Sequence, residues 1–155
     1  MEKNLSLQEL KHDIIKRYGG RVSSSDFGIL DLLIRSTRGE NISFVLQHYS
    51  SEEISYKIFF ADFVSFQIRD KMLTQEKDFQ RLQPDSNFDG FFIYKMNDTR
   101  YLKFLREEMD LQLYEDIDYV DTQKLQQFSI IEQNLMVDII TVSSPQITLI
   151  ENYKK

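Results

Sequence analysis

The sequence is organised around one stretch, residues 91–121, which reads FFIYKMNDTRYLKFLREEMDLQLYEDIDYVD. It begins as an apolar run, passes through Asn97-Asp98-Thr99 into a helical pattern ending near Met109, and then becomes acidic. The apolar run favours a central strand covered on both faces, although so short a run does not by itself distinguish a strand from a buried helix. We expect the strand and the helix that follows it to close part of the core.

The last part of this stretch, residues 107–121 (the acidic segment), accounts for the net charge of the protein. The whole chain has 19 Lys and Arg against 25 Asp and Glu, a formal net charge of −6. The acidic segment contributes seven carboxylates and no Lys or Arg, and the rest of the chain has 19 basic and 18 acidic residues, a net charge of +1. Charge concentrated in this way attracts an oppositely charged protein and accelerates its association at low salt.

We therefore predict that the acidic segment is a docking face for a basic protein partner. Its tyrosines would be aromatic anchors, a residue type enriched in binding hot spots. The predicted partner-binding residues are Glu107, Glu108, Asp110, Tyr114, Glu115, Asp116, Asp118, Tyr119 and Asp121. The alternative, which stays open, is a solvated loop that follows a helix.

The composition predicts one domain spanning residues 1–155. Hydrophobic residues make up 41% of the chain, with 12 Phe and 8 Tyr, enough to build a core at this length. The absence of Cys excludes disulfides and Cys-ligated zinc and fits a reducing compartment. With no signal-like or membrane-spanning apolar run, the expected location is the cytoplasm. Net acidity argues against nucleic acid as a partner.

The periodicity along the chain predicts an α+β fold, in which an antiparallel sheet of about six strands carries an N-terminal helix and a helix near residues 98–109. Ser6 and Glu9 form a capping box at the start of the first helix, and Gly19-Gly20 ends it. Alternating apolar and polar residues then indicate successive strands joined by short turns. Residues 74–82 are predicted as a short helix, and the chain from Ile147 as a terminal edge strand.

Signals for catalysis are weak. The chain has two histidines: His12 is expected to be exposed on the first helix, and His48 to be a partly buried histidine at a strand end. No G-x-S-x-G motif marks a serine nucleophile, and neither G-x-x-x-x-G-K-[ST] nor G-x-G-x-x-G marks a phosphate-binding loop.

Metal binding is also not indicated. An EF-hand loop beginning at Asp116 would need an oxygen ligand, a Gly and a Glu at its fifth, sixth and twelfth positions. This chain has Val120, Asp121 and Gln127 there. We predict no cofactor and no metal.

Three aspartates within predicted strands support an alternative function. Because Asp is disfavoured in strands, Asp31, Asp70 and Asp138 are candidates for a functional role. Two converging carboxylates could perform acid–base chemistry on a sugar, which would make the protein a small-ligand or carbohydrate-acting protein. Asp31 and Asp138 are expected on the solvent faces of their strands. Asp70 is expected either on the same face as Phe66 and Ile68 or just past the end of the strand. A third hypothesis is a structural homodimer joined through apolar surface.

The later part of the chain resembles a family of small bacterial proteins, some of which are immunity proteins of polymorphic toxins. The resemblance rests on Asn97 and Tyr101-Leu102 after an apolar strand, and on Phe128-Ser129-Ile130 leading through Asn134 into Val137-Asp138-Ile139-Ile140. It covers roughly residues 55–150. It implies a non-enzymatic, cytoplasmic inhibitor of a toxin made by the same cell, and it assigns no residue a role.

Overall fold

A computed structural model describes residues 2–35, 41–70, 91–96, 99–108 and 125–151 of the chain. These residues form two α-helices and nine strands, which make two antiparallel sheets. The elements in chain order are β1 (Glu2–Leu5), α1 (Leu7–Tyr18), β2 (Phe27–Arg35), β3 (Asn41–His48), β4 (Ile54–Phe60), β5 (Ser65–Asp70), β6 (Ile93–Met96), α2 (Arg100–Glu108), β7 (Gln126–Ile131), β8 (Leu135–Thr141) and β9 (Gln146–Glu151). The predicted α+β class is confirmed, with the strands divided between two sheets. The helix predicted over residues 74–82 lies outside the described residues.

The first sheet has five strands in the order β1-β9-β4-β3-β2. Ile42, Phe44 and Leu46 of β3 are buried on its inner face, as their alternation predicts. The prediction that the C-terminal strand is an edge was wrong, because β9 lies between β1 and β4. β1 is short and mostly polar, so its sequence has no periodic pattern that would predict a strand.

The second sheet has four strands in the order β5-β8-β7-β6. The apolar run at residues 91–96 contributes β6, and its Ile93 and Met96 are both buried although they lie on opposite faces. The strand is therefore covered on both faces, as expected, but within the described residues it is at the edge of its sheet. The two central strands, β7 and β8, are buried on both faces.

The main core lies between the inner faces of the two sheets and extends under α1. Aromatic rings join the sheets: the ring centroids of Phe27 and Phe92 are 4.8 Å apart, and those of Phe60 and Phe128 are 5.6 Å apart. Ser6 caps α1 by accepting a hydrogen bond from the amide of Glu9 at 3.1 Å. The first helix thus begins where the sequence predicts and packs on the five-stranded sheet.

The buried carboxylate of Glu132 connects the two sheets. It accepts hydrogen bonds from the amide of Ile29 on β2 at 3.0 Å and from the amide of Asn134 at 2.6 Å. The amide of Gln133 donates to the carbonyl of Phe27 at 2.8 Å. The turn between β7 and β8 therefore binds the outer edge of the first half of β2. These contacts attach the four-stranded sheet to that part of the edge.

The second helix, α2, covers the outer face of the four-stranded sheet. Thr99 is its N-cap, because the Thr99 hydroxyl accepts a hydrogen bond from the amide of Leu102 at 3.1 Å. Leu102 is buried against Leu125 and Ile140. The helix predicted over residues 98–109 and its packing on a sheet are confirmed.

Candidate functional site

The outward side of α2 carries an aromatic side chain next to the acidic segment. Phe104 is 57% exposed, and Glu107, one turn further along the helix, is also exposed. The buried side of the same helix is occupied by Leu102. The described beginning of the acidic segment is therefore a solvent-facing helix end with an apolar ring beside it.

Only the first of the predicted partner-binding residues can be compared with the structure in full. Glu107 is exposed, and Glu108 is the last residue of α2. Seven others lie outside the described residues: Asp110, Tyr114, Glu115, Asp116, Asp118, Tyr119 and Asp121. Their participation in one surface stays a prediction.

The described part of α2 carries its basic residues first and its carboxylates last. Arg100 is the first residue of the helix, and its first turn has no carboxylate, whereas Glu107 and Glu108 are its last described residues. Arg106 donates from Nη2 to the carbonyl of Leu125 at 2.9 Å. The acidic segment thus begins within the helix.

The three strand carboxylates do not converge. Asp31 is exposed on β2 of the five-stranded sheet, whereas Asp70 and Asp138 belong to the four-stranded sheet. Asp138 is paired with Gln67, and Asp70 lies three residues beyond Gln67 on β5. Since side chains alternate along a strand, Asp70 and Asp138 lie on opposite faces. No pair of these aspartates shares a pocket.

The expectation that Asp138 faces solvent was wrong. Its side chain is 0% exposed, because the strand is central in its sheet and both faces are covered. The carboxylate accepts hydrogen bonds from Ser129 Oγ at 2.6 Å, Gln67 Nε2 at 2.8 Å and Arg69 Nη2 at 2.9 Å. A carboxylate that is buried and bonded in this way is a structural anchor.

The sequence contains only part of the signal for this buried anchor. Gln67 and Arg69 alternate along β5, and Ser129 lies opposite Asp138 on β7. That these polar residues share one face can be recognised only when the register of the three strands is known. Periodicity within one strand cannot supply that register.

His48 is buried in an aromatic stack, in agreement with the expectation of a partly buried histidine. Its ring lies between Tyr18, with centroids 4.0 Å apart, and Tyr49, with centroids 4.5 Å apart. Nδ1 accepts a hydrogen bond from the amide of Ser50 at 3.1 Å. Burial lowers the pKa of His48, and the negative charge of Asp26 opposes this shift in part. A groove of about 370 Å³ adjoins the stack.

His12 is exposed, as expected, on the outward side of α1. It lines a groove of about 460 Å³, together with Glu9, Asp13 and Lys3. The described lining residues of this groove include no second histidine and no activated nucleophile. Among the described residues, no group of three or more His, Asp or Glu side chains is placed to hold a metal ion.

Another local ionic network joins α1 to the five-stranded sheet. Asp13 accepts hydrogen bonds from the hydroxyl of Tyr56 at 2.6 Å and from Nε of Arg17 at 2.9 Å, and Arg17 also contacts Glu151 at 3.0 Å. Burial, together with the hydrogen bond to Asp13, raises the pKa of Tyr56 strongly. The network orients α1 on the sheet and leaves Tyr56 as a neutral donor.

None of the helices in the described part of the chain is long and apolar enough to cross a membrane. Comparison with protein-family profiles, with curated proteins and with solved structures gives no match. The interpretation of the site therefore rests on its own geometry and charge.

Proposed function

We propose that the protein is a non-enzymatic binding protein that docks a basic protein partner through the exposed end of α2 and the acidic segment. The observation that carries the proposal is the position of Phe104, which is 57% exposed and lies one turn before Glu107. An exposed aromatic beside a segment with seven carboxylates and no basic residue combines the two elements of a steered interface. The ring supplies apolar contact area, and the charges supply attraction over distance.

The partner that fits this surface best is a basic toxin domain such as a nuclease. Such an enzyme binds phosphates through Lys and Arg, and a row of carboxylates can occupy the same positive cleft. Inhibition would be by occlusion and would need no chemistry by the inhibitor. An inhibitor that protects the cell in which the toxin is made acts in the cytoplasm, which is the location we propose.

The carboxylate-enzyme alternative has no comparable support. It requires two of Asp31, Asp70 and Asp138 in one pocket, whereas these residues lie on two sheets and on opposite faces. The one that is buried, Asp138, already accepts three hydrogen bonds.

A pull-down from the source organism, followed by titration of the captured basic protein against the purified chain at low and high salt, tests the proposal. Wild type should bind, and the triple variant Glu115→Ser/Asp116→Ser/Asp118→Ser should bind at least about tenfold more weakly at low salt, since each lost charge pair weakens attraction. The difference between the two proteins should shrink at high salt.

The matched control changes the same number of charges elsewhere. Glu2, Glu52 and Glu53 are exposed, so Glu2→Ser/Glu52→Ser/Glu53→Ser alters the net charge equally and should leave affinity almost unchanged. The proposal fails if wild type does not bind. It also fails if the two triple variants weaken binding to the same extent, since the effect would then come from net charge alone.

A further inference from the structure

The outer edge of β2 is divided into a closed half and an open half. In the closed half, the carbonyl of Phe27 accepts from Gln133, and the amide of Ile29 donates to Glu132. In the open half, residues 30–35, no described strand pairs with the edge, because β2 is the last strand of its sheet. Exposed apolar side chains mark this half, namely Leu30 at 54%, Leu33 at 41% and Ile34 at 43%.

The outward backbone groups of the open half have no partner among the described residues, and they have a defined phase. In an antiparallel ladder, successive residues direct their N–H and C=O groups alternately toward and away from the neighbouring strand. Phe27 and Ile29 direct theirs away from β3, and the bulge between Ile29 and Asp31 shifts the phase by one residue. Leu32 and Ile34 therefore direct their backbone N–H and C=O groups outward.

We propose that a second copy of this chain pairs with β2 over residues 31–35, antiparallel, with Leu33 at the two-fold axis. In this register Leu32 lies opposite Ile34 of the second copy, and both residues direct their backbone groups across the interface. Asp31 lies opposite Arg35 of the second copy. The result is a ladder of four backbone hydrogen bonds, flanked by two symmetric ion pairs, which makes one continuous sheet from the two five-stranded sheets.

The side chains agree with this register on both faces of the joined sheet. Asp31 and Arg35 are exposed on β2, and they lie on the face that also carries Leu33. The two copies of Leu33 meet on that face between the ion pairs. On the other face, Leu32 and Ile34 pack across the interface, which removes the exposed fraction of Ile34 from water.

Charge complementarity selects this register over its neighbours. A shift of two residues in one direction would place Asp31 opposite Leu33 and Arg35 opposite Ile29. The opposite shift would place Arg35 opposite Leu33. A shift by one residue would place a residue whose backbone groups point outward opposite one whose groups point toward β3, so the backbone hydrogen bonds across the interface could not form. Only the register centred on Leu33 pairs both charges and both outward residues.

The charges on the open half of β2 indicate that a second copy of the chain is its partner. A long edge strand with exposed apolar residues is ordinarily protected by charge or proline against pairing. Here the only charges are Asp31 and Arg35, which stand at the two ends of the open half and neutralise each other across a two-fold axis. The edge is thus complementary to itself. Because the ladder is short, the dimer is expected to be reversible and weaker than complexes with interfaces of about 1,600 Å².

Sedimentation equilibrium of the full chain over a concentration series tests the proposal. Wild type should show a reversible monomer–dimer equilibrium. Asp31→Arg and Arg35→Asp should each weaken dimerisation about tenfold or more, since each places like charges opposite each other at two symmetric positions. The double variant Asp31→Arg/Arg35→Asp should restore it, because the swapped charges attract again.

A backbone variant tests the ladder separately. Ile34→Pro removes an outward N–H that β3 does not use, so the monomer should keep its circular dichroism spectrum while dimerisation is lost. Lys103 is an exposed residue of α2, so Lys103→Asp is the charge control and should dimerise like wild type.

The proposal is overturned if wild type is monomeric throughout the series. It is also overturned if the double variant dimerises no better than either single variant, which would indicate a different surface or a different strand as the occupant. Failure here is distinguishable from failure of the proposed function, because the triple variant at Glu115, Asp116 and Asp118 should dimerise normally.

Discussion

Arg69 donates a hydrogen bond from Nη2 to the buried carboxylate of Asp138 at 2.9 Å, from the neighbouring strand of the four-stranded sheet. The Asp138 side chain is 0% exposed, whereas that of Arg69 is 38% exposed. The Arg69 side chain therefore keeps contact with water, whereas the Asp138 carboxylate depends on protein donors. This asymmetry makes Arg69 the residue whose removal leaves an uncompensated buried charge.

Arg69→Met should lower the free energy of unfolding by about 3 kcal/mol, because the Asp138 carboxylate then has only the neutral donors Ser129 and Gln67. The measurement is equilibrium urea unfolding. Arg69→Met/Asp138→Asn, which also removes the buried charge, should recover part of this loss. Equal destabilisation by the single and double variants would mean that lost packing, and not the unpaired charge, is responsible.

Stability should fall as the pH is lowered below about 6.5, in part because of His48. Burial lowers the pKa of His48 in the folded state, so the unfolded chain binds its proton first as the pH falls. The contribution is fully present above the unfolded pKa and is lost progressively between that value and the lower folded pKa. NMR titration of His48 in the folded protein and in urea checks the sign, and a folded pKa equal to or above the unfolded one would contradict it.

Phe104→Ala should weaken partner binding by at least about tenfold, as expected for an aromatic hot spot, and should change the free energy of unfolding little, because the ring is 57% exposed. Calorimetric titration and urea unfolding measure the two effects. Leu102→Ala, on the buried side of the same helix, should instead destabilise the protein by about 2–5 kcal/mol. Unchanged affinity in Phe104→Ala would exclude the end of α2 from the interface.

Local patterns predicted the elements whose ends are set by their own residues. Ser6 and Gly19 bound α1 where expected, and Thr99, one of three candidate caps, begins α2. Gln133 and Asn134 lie between β7 and β8 as the predicted turn. These features depend on interactions over a few residues, which a sequence displays directly.

Features that depend on distant strands were not predictable in the same way. Alternation shows that Asp138 and Val137 lie on opposite faces, but it does not show that both faces are covered. Among the described strands, the edge position of β6 and the interior position of β9 follow from pairing with β7 and β1, which no single stretch encodes. The concentration of carboxylates in the acidic segment was visible in the sequence alone. The exposure of the Phe104 ring beside it could be inferred only when the structure showed that Leu102 packs on the sheet.

The most direct test of the proposed function is the association rate constant with the basic partner, measured by stopped flow over a series of salt concentrations. Electrostatic steering by the acidic segment predicts that the rate constant of wild type falls steeply with salt and converges on that of the Glu115→Ser/Asp116→Ser/Asp118→Ser variant. A rate constant that is independent of salt, or equal in the two proteins at low salt, would contradict the account.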